Sequence, residues 1–222
     1  MFDINIAAQI SHLAVAFVPV LLGIILHEVA HGWAALRCGD PTARMLGRLT
    51  LNPLPHIDPV GTAMFVFTAL FSPFVFGWAR PVPINPRYFR NYRKSMLFVS
   101  AAGPLTNMLL AVIFAVCLRL LLFAPADFLL QTSTGNFLLQ MFQTGIAANF
   151  ALAWINLVPI PPLDGGRILE TLLPGQIAIQ FQRVERYGFL LLVILLASGV
   201  LGSILMPLLQ WSWTLTLTAV GL

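Results

Sequence analysis

Long apolar stretches constrain the fold of this chain more than any other feature of its sequence. They cover residues 6–36, 60–78, 95–123, 137–158 and 187–222, and the last is long enough for one span and a second, shorter one. A transmembrane helix needs about 20 apolar residues. Only 9% of the residues are charged, against about 25% in soluble domains. We therefore expect an all-α polytopic membrane protein, a bundle of about five or six transmembrane helices, and we exclude a soluble globular domain, a coiled coil and a disordered chain.

The distribution of basic residues predicts how the chain lies in the membrane. The apolar stretch 60–78 is short and contains Pro73 and Gly77. If this stretch turns back instead of crossing, eleven of the twelve Lys and Arg residues lie on one side, and only Arg119 does not. The positive-inside rule then favours a re-entrant hairpin, with the N-terminus outside and the basic loops in the cytosol. Because topology accounts for the basic residues, we expect no nucleic-acid partner.

The first apolar stretch carries ionisable side chains, which are costly at membrane depth and therefore indicate function. His27, Glu28 and His31 follow the pattern H-E-x-x-H among apolar neighbours. On a helix the two histidines lie one turn apart on the same face, where both imidazoles can bind one zinc ion. The glutamate can then act as general base on a zinc-bound water. The alternatives are a chance match and a buried polar cluster, and the position inside a span disfavours chance, because nothing else would offset the desolvation.

A catalytic zinc site with two histidines needs a third protein ligand and an open position for water. Asp58 and Asp164 are the downstream acids that lie beside an apolar stretch in a suitable context. Asp164 is the better candidate, because prolines interrupt the helix before it and glycines after it allow close backbone approach. An acid on such a break can point back into a polar cavity. The alternative is that Asp164 only caps the helix that follows.

These motifs together resemble the site-2 protease family of intramembrane zinc metalloproteases, and within it a compact prokaryotic type without PDZ or CBS domains. The resemblance rests on His27 to His31 and on Asn156 to Gly166, which is similar to the family pattern N-x-x-P-x-P-x-x-D-G-G. Supporting stretches lie at residues 47–59, 77–86 and 101–107. The paired motifs are highly specific, although either one alone would not be.

The resemblance implies a role for each matching residue. His27, His31 and Asp164 would hold one Zn²⁺ ion per chain. Glu28 would activate the zinc-bound water and pass its proton to the leaving amine. Asn156 would contact the substrate or stabilise the developing oxyanion, for which an amide N–H is a suitable donor; the alternative is that it caps backbone groups at the proline break. The implied function is an intramembrane zinc endopeptidase that hydrolyses peptide bonds within or near transmembrane segments of membrane proteins, as in regulated intramembrane proteolysis.

The sequence leaves two interpretations open for His56 and Asp58 and for residues 80–86. His56 and Asp58 could flank the site, gate water or orient a zinc ligand, although a loop histidine beside prolines is more often structural. Residues 80–86 alternate proline with other residues. They could form an extended edge that pairs with an unwound substrate strand, or a rigid loop at the membrane interface.

We expect a single integral-membrane metalloprotease domain over residues 1–222, with a catalytic core at about 6–173 and C-terminal helices at about 187–222. The expected location is the inner membrane of a prokaryotic cell, in a multi-pass arrangement with the active site toward the cytosol. The expected partners are the lipid bilayer and a transmembrane protein or peptide substrate. A metal-ion transporter is the alternative function, because it too places histidines and acids at membrane depth. The single ligand set and the lack of a sequence repeat disfavour it.

Overall fold

The computed structural model describes residues 6–71 and 77–222 of the chain. The α-helices of this part are α1 (Ile6–Arg37), α2 (Thr42–Met45), α3 (Pro59–Phe71), α4 (Tyr92–Leu121), α5 (Ala126–Gln131), α6 (Ser133–Asn156), α7 (Asp164–Leu172), α8 (Gly175–Ala197) and α9 (Val200–Val220). Short 3₁₀ turns lie at Leu54–His56 and Pro86–Tyr88. The described residues contain no strand, so the prediction of an all-α fold is confirmed.

Four helices in the described part are long and apolar enough to cross a membrane, judged by length and composition. They are Leu13–Arg37 of α1 together with α4, α6 and α9. Two shorter apolar helices, Pro59–Thr68 and Arg186–Ala197, account for the difference from the five or six spans expected. The second of these belongs to α8, a helix of 23 residues. The prediction of a polytopic membrane bundle is confirmed.

The bundle is built around α1, α4 and α6. Ala111 and Ala115 of α4 and Ile146 of α6 are fully buried where these helices meet. A Cβ atom at Gly145 of α6 would lie 2.6 Å from the ring of Phe114, so α4 and α6 approach this closely only because the residue is glycine. Small residues at helix contacts are typical of membrane bundles, where close packing takes the place of the hydrophobic effect. α9 packs against the same cluster from outside.

Residues 77 and 78 lie against the first half of α3. The described part of α3 is Pro59–Phe71. A Cβ atom at Gly61 would lie 2.1 Å from the carbonyl oxygen of Trp78, and one at Gly77 would lie 2.5 Å from Cβ of Phe65. The turn of the expected re-entrant hairpin, with Pro73, falls in residues 72–76, outside the described residues. The described ends of the segment lie side by side, as a hairpin requires.

A proline-rich break separates α6 from α7 and brings the start of α7 back to the bundle. α6 ends at Asn156 and α7 begins at Asp164, as the prolines between them predict. A Cβ atom at Gly165 would lie 2.2 Å from the carbonyl oxygen of Leu157, and one at Gly166 would lie 2.6 Å from the backbone nitrogen of Pro161. The two glycines therefore allow the first turn of α7 to pack directly on the backbone of the break, which fixes the position of Asp164.

Candidate metal centre

The structure brings the three expected metal ligands together. His27 and His31 lie one turn apart on α1, and Asp164 is the first residue of α7. The two Nε2 atoms are 2.9 Å apart. Oδ2 of Asp164 lies 3.1 Å from Nε2 of His27 and 3.2 Å from Nε2 of His31. The three residues are only 8%, 6% and 6% exposed, so their polar atoms face one another inside the protein and not toward solvent.

Hydrogen bonds on the far side of each imidazole determine which nitrogen carries the proton. Nδ1 of His31 lies 2.7 Å from the backbone carbonyl oxygen of Val99, and Nδ1 of His27 lies 2.6 Å from Oδ1 of Asn107. Both partners are acceptors, so each Nδ1 must donate. In the neutral imidazole the lone pair is then on Nε2. Both histidines therefore present a lone pair to the point where they meet Asp164.

The orientation of the Asn107 amide is fixed by its own partners. Its Nδ2 donates to the carbonyl oxygen of Gly23 at 3.0 Å and to Oδ1 of Asn149 at 3.0 Å. Nδ2 of Asn149 donates in turn to the carbonyl oxygen of Gly145 at 2.9 Å. Both asparagines are fully buried. Because both donors of Asn107 are occupied in this way, its oxygen is the atom that faces His27.

This donor set fits a bound cation. Oδ2 of Asp164 is buried and has no hydrogen-bond partner, although both imidazole Nε2 atoms lie close to it. With both Nδ1 atoms protonated, neither facing Nε2 atom has a proton to donate to it. Three acceptors in contact repel one another unless a cation lies among them. Two imidazole nitrogens and one carboxylate are the ligands of catalytic zinc sites, so the residues present fit Zn²⁺.

Gly103 of α4 provides the room for this centre. A Cβ atom there would lie 2.5 Å from Nε2 of His31 and 2.6 Å from Nε2 and Cε1 of His27. The backbone of α4 therefore forms one wall of the metal centre. The sequence alone does not predict this role for Gly103, nor a role for Asn107 or Asn149. Gly103 and Asn107 lie in the stretch 101–107, whose one signal in the sequence is its resemblance to the family.

Glu28 lies beside the ligands and is held by the backbone of another segment. Its Oε2 accepts a hydrogen bond of 2.6 Å from the backbone N–H of Val82. Glu28 also lines two cavities together with His27 and Asn156. The side chain is thus adjacent to the metal ligands and open to the space that a substrate or a water molecule would occupy.

The two cavities meet at the metal centre and differ in character. The first, which we call the apolar cavity, has a volume of about 690 Å³. Its apolar lining comes from Ile24, Leu152, Ile155, Leu163, Phe189 and Leu192. The second, which we call the polar cavity, has a volume of about 530 Å³ and includes Arg167, Glu170 and Gln182 in its lining. The centre therefore lies between a space suited to apolar side chains and a space suited to water.

Asn156 lies in the lining of both cavities, at the last turn of α6. Its Nδ2 donates to the carbonyl oxygen of Leu152 at 2.9 Å, within its own helix. This position brings the amide near Glu28 and the ligands, as expected for a group that contacts substrate. Its role in contacting substrate or an oxyanion stays a prediction.

His56 and Asp58 form hydrogen bonds away from the metal ligands. Nε2 of His56 lies 3.0 Å from the carbonyl oxygen of Thr50. Oδ1 of Asp58 accepts from the backbone N–H of Gly61 at 2.8 Å and so caps the start of α3. The backbone of His56 is connected to the site indirectly, because its carbonyl oxygen accepts from the N–H of Arg80, two residues before Val82. A role for these two side chains in orienting a ligand stays a prediction.

Comparison with known proteins gives matches over most of the chain. The family model described as peptidase family M50 matches residues 123–198, which include Asn156 and Asp164. YwhC of Bacillus subtilis is 38% identical over 193 residues, covering 87% of this chain and 84% of YwhC. Rip2 of Mycolicibacterium smegmatis is 30% identical over 198 residues, covering 86% of this chain and 70% of Rip2. Rip2 of Mycobacterium tuberculosis is 29% identical over 199 residues, covering 88% and 71%. The names of these relatives describe zinc metalloproteases, and no solved structure matches the chain.

Proposed function

The chain belongs to peptidase family M50, and from this premise we propose that it cleaves membrane-protein substrates with Glu28 as the general base. Membership in the family makes it a multi-pass membrane metalloprotease that uses zinc. More specifically, we propose that it hydrolyses peptide bonds within or near transmembrane segments of its substrates, in regulated intramembrane proteolysis. The observation that carries this proposal is the convergence of His27, His31 and Asp164 between an apolar and a polar cavity.

His27, His31 and Asp164 would hold the zinc ion. When bound, zinc polarises the scissile carbonyl and lowers the pKa of a coordinated water. The protein side chains supply the remaining chemistry. The proton on each Nδ1, held by Val99 and Asn107, keeps both Nε2 lone pairs directed at the centre. The buried carboxylate of Asp164 contributes a negative charge that offsets part of the charge of the ion.

Glu28 would move the proton in the reaction. Its carboxylate takes a proton from the attacking water as the water oxygen bonds to the carbonyl carbon of the substrate. It then gives this proton to the nitrogen of the leaving amine as the C–N bond breaks, so the carboxylate is regenerated. Its position next to His27 in sequence and in the lining of both cavities supports this role.

Asn156 would stabilise the negative charge on the carbonyl oxygen. An amide N–H that points at the developing oxyanion acts as a fixed dipole in a site with little water. The amide lines both cavities, and its hydrogen bond to the carbonyl oxygen of Leu152 belongs to its own helix, so a turn of the side chain can release a donor. This position supports contact with a substrate that reaches from one cavity to the other.

The two cavities suggest how a substrate would lie. A transmembrane helix hides its carbonyl groups in backbone hydrogen bonds, so the segment must unwind before attack. The apolar cavity suits the side chains of the unwound segment. The polar cavity suits water and the charged ends of the products. Its lining residue Arg167, in α7, is one of the eleven basic residues that the positive-inside rule assigns to the cytosol. We therefore place the active site toward the cytosol of a prokaryotic cell, with release of a cytosolic fragment.

The substitution Glu28→Gln tests the proposed base. The wild type and the variant are purified in detergent, their zinc content is measured, and each is assayed with a panel of single-span membrane peptides. Glu28→Gln should keep zinc, because all three ligands remain, and should lose cleavage by at least about a hundredfold, since general-base catalysis contributes roughly 10²–10⁴-fold. His27→Ala should lose zinc as well as cleavage.

Two outcomes would contradict the proposal. Full cleavage by Glu28→Gln would show that another group takes the proton. Zinc in both proteins with cleavage in neither, together with zinc flux into liposomes that contain the wild type, would indicate a transporter instead of a protease.

A further inference from the structure

An extended segment packs beside Glu28, and hydrogen bonds hold it at both ends. This segment, which we call the strap, comprises residues 80–85 and forms neither helix nor strand. Its start is fixed by the backbone N–H of Arg80, which donates to the carbonyl oxygen of His56 at 2.8 Å. Pro81 and Pro83 reduce its conformational freedom and extend the residues before them.

Two buried charged residues outside the metal centre also hold the strap. Arg48 is 8% exposed, and its Nη2 donates to the carbonyl oxygens of Arg80 at 2.7 Å and Pro81 at 3.3 Å. Asp40 is fully buried, and its Oδ2 accepts from the backbone N–H of Asn85 at 2.6 Å. A buried charge is costly unless hydrogen bonds compensate it. Part of that compensation comes from the strap backbone, and Asp40 also accepts from the backbone N–H and the hydroxyl of Thr42.

The middle of the strap contacts the proposed base. The backbone N–H of Val82 donates to Oε2 of Glu28 at 2.6 Å. Because Pro81 and Pro83 have no N–H, Val82 is the residue at this part of the strap that can make such a bond. A Cβ atom at Gly32, one turn after Glu28 on α1, would lie 2.9 Å from Cγ1 of Val82, so the strap rests directly on the helix that carries the base.

The bond leaves one carboxylate oxygen available. With Oε2 engaged by a fixed N–H, the rotation of the Glu28 side chain is restricted and Oε1 remains free to take a proton. The positive charge of Arg48 also acts on this group: burial and the nearby Arg80 lower the pKa of Arg48, and the negative charge of Glu28 opposes that decrease. The Val82 N–H thus orients the Glu28 carboxylate, and Arg48 lies within electrostatic reach of that carboxylate.

We propose that the Val82 backbone N–H positions the Glu28 carboxylate for catalysis, and that Arg48 and Asp40 are positioning residues that act through the strap. The inference rests on the proposed function, because it assumes that Glu28 is the base. It assigns a part in the reaction to a main-chain group and to two charged residues that do not touch the metal ligands.

The substitution Val82→Pro removes the donor and leaves an extended backbone. We expect kcat to fall by about tenfold to a hundredfold, the range for losing a hydrogen bond to a charged group, with KM and zinc affinity near the wild-type values. The matched variant Val82→Ala keeps the N–H and loses only side-chain packing, so its kcat should fall much less. Arg48→Met should lower kcat in the same direction as Val82→Pro, and Arg48→Lys should recover part of the loss.

The same measurements can overturn the inference. Equal losses in Val82→Pro and Val82→Ala would assign the effect to packing. A rise in KM at constant kcat would show that the strap only binds substrate. If Val82→Pro does not fold, as judged by thermal unfolding, Arg48→Met decides, and an unchanged kcat in that variant refutes the role of the strap. Zinc-loaded wild type without cleavage would instead refute the proposed function and this inference with it.

Discussion

Gly103→Ala is the substitution that tests the geometry of the metal centre most directly. The added methyl group would lie 2.5 Å from Nε2 of His31 and 2.6 Å from two atoms of His27. Ordinary van der Waals contact begins near 3.4 Å, so the imidazoles must retreat by about 0.8–0.9 Å. Without zinc they can do so by turning. With zinc they cannot, because both Nε2 atoms must point at the ion.

The cost of the methyl group therefore falls on the zinc-bound state. Overpacking a close-packed site costs about 1–3 kcal/mol. At about 1.4 kcal/mol for each factor of ten in affinity, the zinc affinity should fall roughly fivefold to a hundredfold. Folding should not suffer in the same way, because alanine is about 1 kcal/mol better than glycine within a helix.

The assay is competition for zinc with a chromophoric chelator, together with thermal unfolding of the zinc-free protein. Gly202→Ala is the matched control, because Gly202 also lies in a membrane helix and a Cβ atom there meets nothing within 4 Å. The control should bind zinc like the wild type. If Gly103→Ala also binds zinc like the wild type, the backbone of α4 does not restrict the positions of the two imidazoles. The close approach of Gly103 to His27 and His31 would then be wrong.

Two further substitutions test the surroundings of the site. Asn107→Ala should lower zinc affinity about tenfold to a hundredfold, because Nδ1 of His27 loses its acceptor. Chelator competition measures this affinity. An equal loss in Asn149→Ala would contradict a direct role for Oδ1 of Asn107. Gly188→Ala should destabilise the protein by about 1–3 kcal/mol, because its Cβ atom would lie 1.8 Å from the carbonyl oxygen of Pro161. Thermal unfolding measures this loss. Gly175→Ala is the control that should be unaffected, because a Cβ atom there meets nothing within 4 Å.

Local patterns were sufficient to single out the three residues that the structure brings together as a possible metal site. The spacing of His27 and His31 fixes them on one helical face, and the prolines before Asp164 predict the break that starts α7 at that residue. The cost of polar groups at membrane depth then makes their convergence reasonable. These predictions needed no knowledge of how the helices pack, because each depends on residues close together in the chain.

Contacts between helices could not be predicted in this way. Asn107 contacts His27, which lies 80 positions earlier in the chain, and Asn149, which lies 42 positions later. No local spacing indicates either contact. The bond from Val82 to Glu28 spans 54 positions and involves only the backbone of Val82, so the side chain gives no signal.

The meeting of an apolar and a polar cavity at one centre has a consequence for the products. Hydrolysis of a peptide bond creates a carboxylate and an amine, and each is charged at neutral pH. An isolated charge is strongly disfavoured in an apolar space, so neither new end can remain beside Leu152 or Phe189 in the apolar cavity. Arg167 and Glu170, in the polar cavity, carry charges of the opposite sign to each end. If cleavage takes place at this centre as proposed, we expect both new ends to leave the apolar cavity toward the polar cavity, so that the same charges that hydrolysis creates favour release of the products.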